Sequence, residues 1–362
     1  MQVEDHFQIR WDPRYQSPPP PIDVDPDRVA GMLWGVAIGD ALGRPSEGMT
    51  PTRRGQIYGE VRGYHPHYRA KHRSTSVGGR VSDDTQLTFW TVEQLLADGA
   101  LDPAALSARF AKKGGALIGI GATLREFRVR AARGLSWPDR GVASAGNGAL
   151  MRLPPLLLPH LQDQTASLWR DVVRGGGVTH NDSASHAACL GFTRLMWLAL
   201  GRVASPPPPG WWVETFLDFA ASAEVKQDYA PRGGDVTDFS GTLCDWVRLR
   251  LGGLAADRRS TAAICDSMHS GAYLLETVPC ALVLLERHGH DPEEALIRAV
   301  NDTKDSDTLG AIVGAMVGAL HGRRALPDRW ISGLEGRLSK HGLPGEVQAL
   351  IEAGVSRFTA TG

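Results

Sequence analysis

Ser82-Asp83-Asp84-Thr85 and, about 220 residues later, Asp305-Ser306-Asp307-Thr308 each precede an apolar run at helical spacing. The first run is Leu87, Phe89, Trp90, Val92, Leu95 and Leu96; the second is Leu309, Ile312, Val313, Met316, Val317 and Leu320. Taken alone, each cluster is an ordinary helix start. Ser, Asp and Thr cap free N–H groups, and first-turn acids suit the positive end of the helix dipole. The same residue types are also hard oxygen donors, and a cation such as Mg2+ needs several such oxygens converging on one point. The near-repetition of one pattern at two distant places is what points to a shared metal site.

The flanking sequence has the same period. Val29, Met32, Leu33, Val36 and Ala37 form one stripe, and Ala105, Leu106, Ala108 and Phe110 another. Further helical stretches are expected at about 186–201, 212–225, 240–252, 272–288, 293–300, 308–321 and 344–358. Segments alternating with period two and rich in β-branched residues are few. The expectation is an all-α fold, a compact single domain of many helices spanning residues 27–362, with Gly- and Pro-rich loops such as Arg232-Gly233-Gly234-Asp235. Residues 1–26 stand apart. They carry His6, Phe7, Trp11 and Tyr15 and end in the run Pro18 to Pro21, which favours an extended segment unable to join a helix. They read as an arm outside the core, either a disordered tail or a partner-binding segment.

Composition excludes several classes. Of 362 residues, 42% are hydrophobic and 22% charged, with a net charge of −1, so no footprint for nucleic acid or an anionic membrane is present. No apolar run is long enough to span a membrane and no apolar leader is evident, so the cytoplasm is the expected location. Cys189, Cys244, Cys265 and Cys280 form no C-x-x-C pair and read as buried free thiols.

The loops between the acidic clusters hold further candidates. Gly31, Gly35, Gly39 and Gly43 recur every four residues, a spacing that permits close helix packing, and Glu47 follows on a loop. Gly119 and Gly121 end a Gly-rich turn whose N–H groups suit a diphosphate. Ser144, Gly146 and Asn147 form a second such loop, and Thr179-His180 precedes a helix with Thr179 as its expected cap. In this order, with Gly271 to Pro279, the pieces over about residues 29–335 resemble the ADP-ribosylglycohydrolase family.

The resemblance implies a central cleft with two Mg2+ ions, or Mn2+ in their place. By it, Ser82, Asp83 and Asp84 are the first ligand set and Asp305, Asp307 and Thr308 the second. Glu47 is the expected catalytic carboxylate, activating or orienting a water, with Asp83 the weaker candidate. Gly119, Gly121, Ser144, Gly146, Asn147 and His180 would bind ADP-ribose, with Gly271 and Ala272 at the adenosine end. Two departures stand out: Thr303-Lys304 where Gly-Gly is common, and Ser82 where Thr is common. Lys304 would pair with the acids or with a phosphate. The implied activity is removal of ADP-ribose from a modified protein side chain, arginine before serine. Alternatives are a stoichiometric inhibitor that blocks an ADP-ribosyltransferase toxin through residues 1–26, in an immunity role, and a relative that binds without hydrolysing.

Overall fold

The computed structural model describes residues 3–67, 78–201 and 206–360. The first two residues of the expected arm, and residues 68–77, 202–205 and 361–362 of the expected domain, lie outside them. Among the described residues there are fifteen α-helices and no strand, only isolated bridges. Six helices matter here: α1 (Pro26–Gly43), α2 (Asp83–Asp98), α3 (Ala122–Ala132), α4 (Ser183–Leu200), α5 (Leu274–His288) and α6 (Ser306–His321).

Two of them form the axis of the molecule. Helix α1 starts at Asp25, whose carboxylate accepts the Asp27 N–H at 2.9 Å, with Pro26 in the first turn where a missing N–H costs nothing. From Gly31 to Gly43 α1 is buried without interruption, and so is α6 from Ser306 to Leu320. A helix apolar on all sides belongs in the centre of a fold. The glycines explain how the two pack. Gly31 faces Gly318, Gly35 faces Gly314, Gly39 faces Gly310 and Gly43 faces Ser306, an antiparallel register in steps of four. A Cβ on Gly310 would lie 2.5 Å from the Gly39 carbonyl oxygen, so the backbones touch with no room for a methyl group. Each helical glycine costs roughly 1 kcal/mol relative to alanine; close dispersion and Cα–H···O contacts along the seam offset it. The register also lays the C-terminal end of α1 beside the N-terminal end of α6, bringing Asp40 to Asp307.

The expected helices at 186–201, 240–252, 272–288, 293–300, 308–321 and 344–358 correspond to α4, Leu243–Leu251, α5, Pro292–Asn301, α6 and Glu346–Thr359. The helix expected at 212–225 closes earlier, as Trp211–Ala220 followed by a short 3-10 turn. Thr179 is not the cap of α4. That position belongs to Asp182, whose carboxylate accepts the Ala184 N–H at 3.0 Å. All four cysteines are buried and free. No described helix is long and apolar enough to cross a membrane.

The N-terminal segment departs from the expected arm. Two 3-10 turns, Val3–His6 and Pro13–Gln16, fold it against the body, and Phe7, Ile9 and Tyr15 join the hydrophobic core. The Tyr15 hydroxyl donates to the Phe219 carbonyl at 2.6 Å, while Trp169 and Trp197 donate their indole N–H groups to the Ser17 and Pro20 carbonyls. Periodicity could not show this, because the segment supplies single side chains to a core formed elsewhere. Tyr15 is 1% exposed, so Tyr15→Ala is expected to cost about 3 kcal/mol in denaturant unfolding. A loss within experimental error would mean the segment is not docked.

Candidate functional site

The floor of the site begins with a residue of the motif Gly39-Asp40-Ala41-Leu42-Gly43 to which the sequence assigns no role. Asp40 is 0% exposed and accepts the N–H and hydroxyl of both Ser82 and Thr85. It therefore caps α2 from another helix. Ser82 occupies the N-cap position, but its own side chain makes no capping bond. Its Oγ donates to Asp40 at 2.7 Å and to Asp84 at 3.1 Å, behind the carboxylates. Asp84 Oδ1, buried, has no hydrogen-bond partner among the described residues.

The second cluster is held by two loops. Asp305 sits at the N-cap of α6 without a side-chain capping bond. One carboxylate oxygen accepts the Asn147 side-chain N–H at 2.6 Å, and Asn147 also donates to Thr277 at 2.9 Å. The Asp305 N–H donates to the Ser270 carbonyl at 2.9 Å. His269 and Ser270 have φ of 69° and 46°, so this turn is strained, as backbones shaping functional sites often are. Lys304, expected to meet the acids or a phosphate, turns away: its Nζ lies 3.5 Å from Asp266 and 3.2 Å from His269. Glu47 reaches in from the rim on a loop braced by the buried guanidinium of Arg54, which donates to Ser46 Oγ at 2.7 Å and to the Met49 carbonyl at 3.3 Å.

Six carboxyl groups thus meet. Single oxygens of Asp40, Asp84 and Asp307 lie within 4.8 Å of one another, and so do those of Glu47, Asp305 and Asp307. Asp307 belongs to both groups. Burial, first, and the neighbouring acids, second, push Asp84 and Asp307 far above the usual carboxylate range. Asp83 rises to about 8, through burial and then Asp40. Glu47 rises to about 7, through burial and then Asp305 and Asp40. Asp40 and Asp305 rise by burial, opposed by the hydrogen bonds they accept.

Above the acids opens a cleft of about 270 Å³. Glu47, Asp83, Asp84, Asp305, Asp307, Thr308, Gly119, Gly121, Ser144, Gly146, Asn147, His180 and Ala272 all line it. Ser82, which is buried, and Gly271 are not part of that lining. Gly119 has φ of 88°, and a Cβ there would come within 2.8 Å of Asp83 Oδ1, so only glycine closes this wall. Gly121 precedes α3, whose first residues face the cleft with no side-chain cap on their N–H groups. His180, 2% exposed, falls to about 3 through burial, then through Arg152 and His186, and stays neutral. Arg152 donates to Thr179 Oγ1 at 2.8 Å, and that hydroxyl shares a hydrogen bond with His180 Nδ1, also at 2.8 Å, which fixes the orientation of the ring. Arg232 also lines the cleft and was read only as part of a Gly-rich loop. A buried acid inside a glycine-spaced helix was the available signal for Asp40; nothing local marked Arg232.

The model of the ADP-ribosylglycohydrolase family matches residues 21–358. The chain belongs to this family. It is 27% identical to the ADP-ribosyl-[dinitrogen reductase] glycohydrolase of Rhodospirillum rubrum, over 90% of this chain and 96% of that protein. It is 25% identical to the ADP-ribosylarginine hydrolase Tri1 of Pseudomonas putida (strain GB-1), over 84% of this chain and 73% of that protein. A solved ADP-ribosylglycohydrolase-related protein complex contains a similar chain, with a TM-score of 0.65 and 26% identity. That match covers 92% of this chain and 99% of the other. The all-α fold is thus the family's fold, and its acidic cluster lies at the bottom of the cleft.

Proposed function

We propose that this chain hydrolyses the glycosidic bond between ADP-ribose and a modified protein side chain, arginine above serine, using two divalent cations. The observation that carries this reading is the pair of adjoining oxygen groups sharing Asp307. Acids this close, all but Glu47 buried, do not ionise together without positive charge, and Asp84 Oδ1 is a buried acceptor with no partner among the described residues. An all-oxygen donor set suits Mg2+, with Mn2+ the alternative. Asp84 and Asp307 would hold one ion, backed by Asp40, whose oxygens accept from Ser82 and Thr85, and Glu47, Asp305 and Asp307 the other; Asp83 and Thr308 line the same cleft. Bound there, the ions would supply charge for the ribose hydroxyls and for an activated water.

The chain's own residues do the rest. Glu47, at the rim with a carboxyl titrating near neutrality, is placed to orient a water and accept its proton. His180 offers a neutral imidazole on the cleft lining, and the start of α3 offers backbone N–H groups and a positive dipole end for phosphate oxygens. Cleavage at the anomeric carbon passes through an oxocarbenium-like state, which surrounding carboxylates favour. Arginine is supported by the relative named as an ADP-ribosylarginine hydrolase. The test is hydrolysis of matched arginine- and serine-ADP-ribosylated peptides. Faster release from arginine is expected; release from serine alone would overturn that preference. The inhibitor reading loses its support, because Tyr15 is buried in this chain's own body and Trp11 packs against its core.

The raised carboxyls make stability depend on pH. Glu47 and Asp83 titrate at about 7 and about 8 in the folded chain, against ordinary values of 4.5 and 3.8. The folded chain therefore holds protons that the unfolded chain has lost. The stability these groups contribute is present below about pH 4 and lost as pH rises through about 8. With chelator present, the thermal midpoint is expected to fall between about pH 5 and about pH 8, and Mg2+ to restore it most at the upper end. A midpoint rising across that interval in chelator would contradict the proposed coupling.

A further inference from the structure

We infer that Arg232 is the cation that binds the diphosphate in this cleft and makes it select an ADP-ribosyl group over an uncharged nucleoside. The inference rests on the function proposed above. A diphosphate brings about one negative charge per phosphate, as in a nucleic-acid backbone. The cleft it would enter is lined by five acids, Glu47, Asp83, Asp84, Asp305 and Asp307, and the neutral His180 adds no charge. Arg232 is the one permanently charged cation among the described residues lining it. Backbone N–H groups at α3 offer partial charge only, so a full positive charge lining the same cleft decides whether the phosphates are welcome.

The geometry holds this cation ready. Its guanidinium carbon lies over the Tyr273 ring, 4.1 Å from the ring centre, a cation–π contact. Tyr273 is bridged to Gly146, another cleft residue, and Leu274 donates its N–H to the Ala145 carbonyl at 2.9 Å. The loop bearing Arg232 is pinned at both ends. Tyr229 and Gly241 exchange backbone hydrogen bonds at 3.0 and 3.1 Å, and the Tyr229 hydroxyl donates to Asp182 at 2.7 Å. Beyond Arg232, the Asp235 N–H donates to the Ser267 carbonyl at 3.0 Å, and its carboxylate pairs with Arg250 at 2.5 Å. Gly234 has φ of 102° and sits on that same carbonyl, which fixes the turn. Arg232 itself makes no hydrogen bond or ion pair to a described residue. Its donors are therefore unspent, with the ring contact to Tyr273 holding the guanidinium and Glu276 the nearby acid that feels its charge.

The test is calorimetric titration of the full chain at fixed Mg2+ with ADP-ribose and with adenosine, for the wild type, Arg232→Gln and Arg232→Lys. Arg232→Gln is expected to weaken ADP-ribose binding about tenfold or more, with adenosine unchanged. Arg232→Lys keeps the charge and loses the fork, so it should fall between the two. The wild type should also lose ADP-ribose affinity with salt more steeply than Arg232→Gln does. Equal ADP-ribose affinity in wild type and Arg232→Gln overturns the inference. An equal loss for adenosine also overturns it, since that marks a structural role. A wild type that binds no ADP-ribose at all defeats the proposed function first, and this inference with it.

Discussion

Asp307→Asn is expected to lower ADP-ribosyl hydrolysis by about a thousandfold or more while leaving the thermal midpoint in chelator unchanged or higher. Asp307 is the one carboxylate common to both oxygen groups, so its loss disables both at once. Stabilisation of developing charge by bound cations is worth several kcal/mol, and about 4 kcal/mol corresponds to a thousandfold in rate. The stability half of the prediction has a separate cause. Asp307 is 3% exposed, and burial first, then the crowding of Glu47, Asp84 and Asp305, hold its carboxyl far above the usual range. Replacing it by a neutral amide of the same shape removes a group that is costly to ionise and keeps an oxygen for the Thr308 N–H, which Asp307 accepts at 3.0 Å. Activity within tenfold of wild type would remove Asp307 from the reaction. A large drop in midpoint would make it a structural residue instead.

Gly35→Leu is expected to destabilise the fold by roughly 3 kcal/mol or more, or to yield no folded protein. Its Cβ would fall on the Gly314 carbonyl, which is backbone and cannot rotate aside. The two central helices would have to part along the whole seam, and Asp40 would move away from Asp307. Gly55, on the exposed side of Pro51–Tyr58 with open space around it, supplies the control. Gly55→Leu carries no such clash and should leave the denaturation midpoint nearly unchanged. Equal midpoints for Gly35→Leu and wild type would show that the seam does not set the distance between the acidic clusters.

The legible and illegible parts of this protein divide along a physical line. Asp83, Asp84, Asp305 and Asp307 stood out because residue type, helix start and repetition are all local features. So did the glycines of α1, although their partners Gly310, Gly314 and Gly318 gained meaning only from the antiparallel register. Asp40 was passed over because its work is done across space: it caps α2 from a position 42 residues earlier. That is also why Ser82, a natural cap by type, spends its hydroxyl on two carboxylates instead. The helix Ser167–Gly177 was not expected because its last turn is Gly175-Gly176-Gly177, which reads as a breaker. In the fold the last of these makes room for Phe7, since a Cβ on Gly177 would lie 2.5 Å from the Phe7 ring. The same contact explains the N-terminal segment, whose docking depends on space left by a glycine some 170 residues away.

The most direct test of the central claim is the rate of ADP-ribose release from an arginine-ADP-ribosylated peptide, followed as chelator and then excess Mg2+ or Mn2+ are added. The account predicts that chelator stops release and that the cation restores it, with no recovery in Asp307→Asn. Release at an unchanged rate in chelator would contradict it.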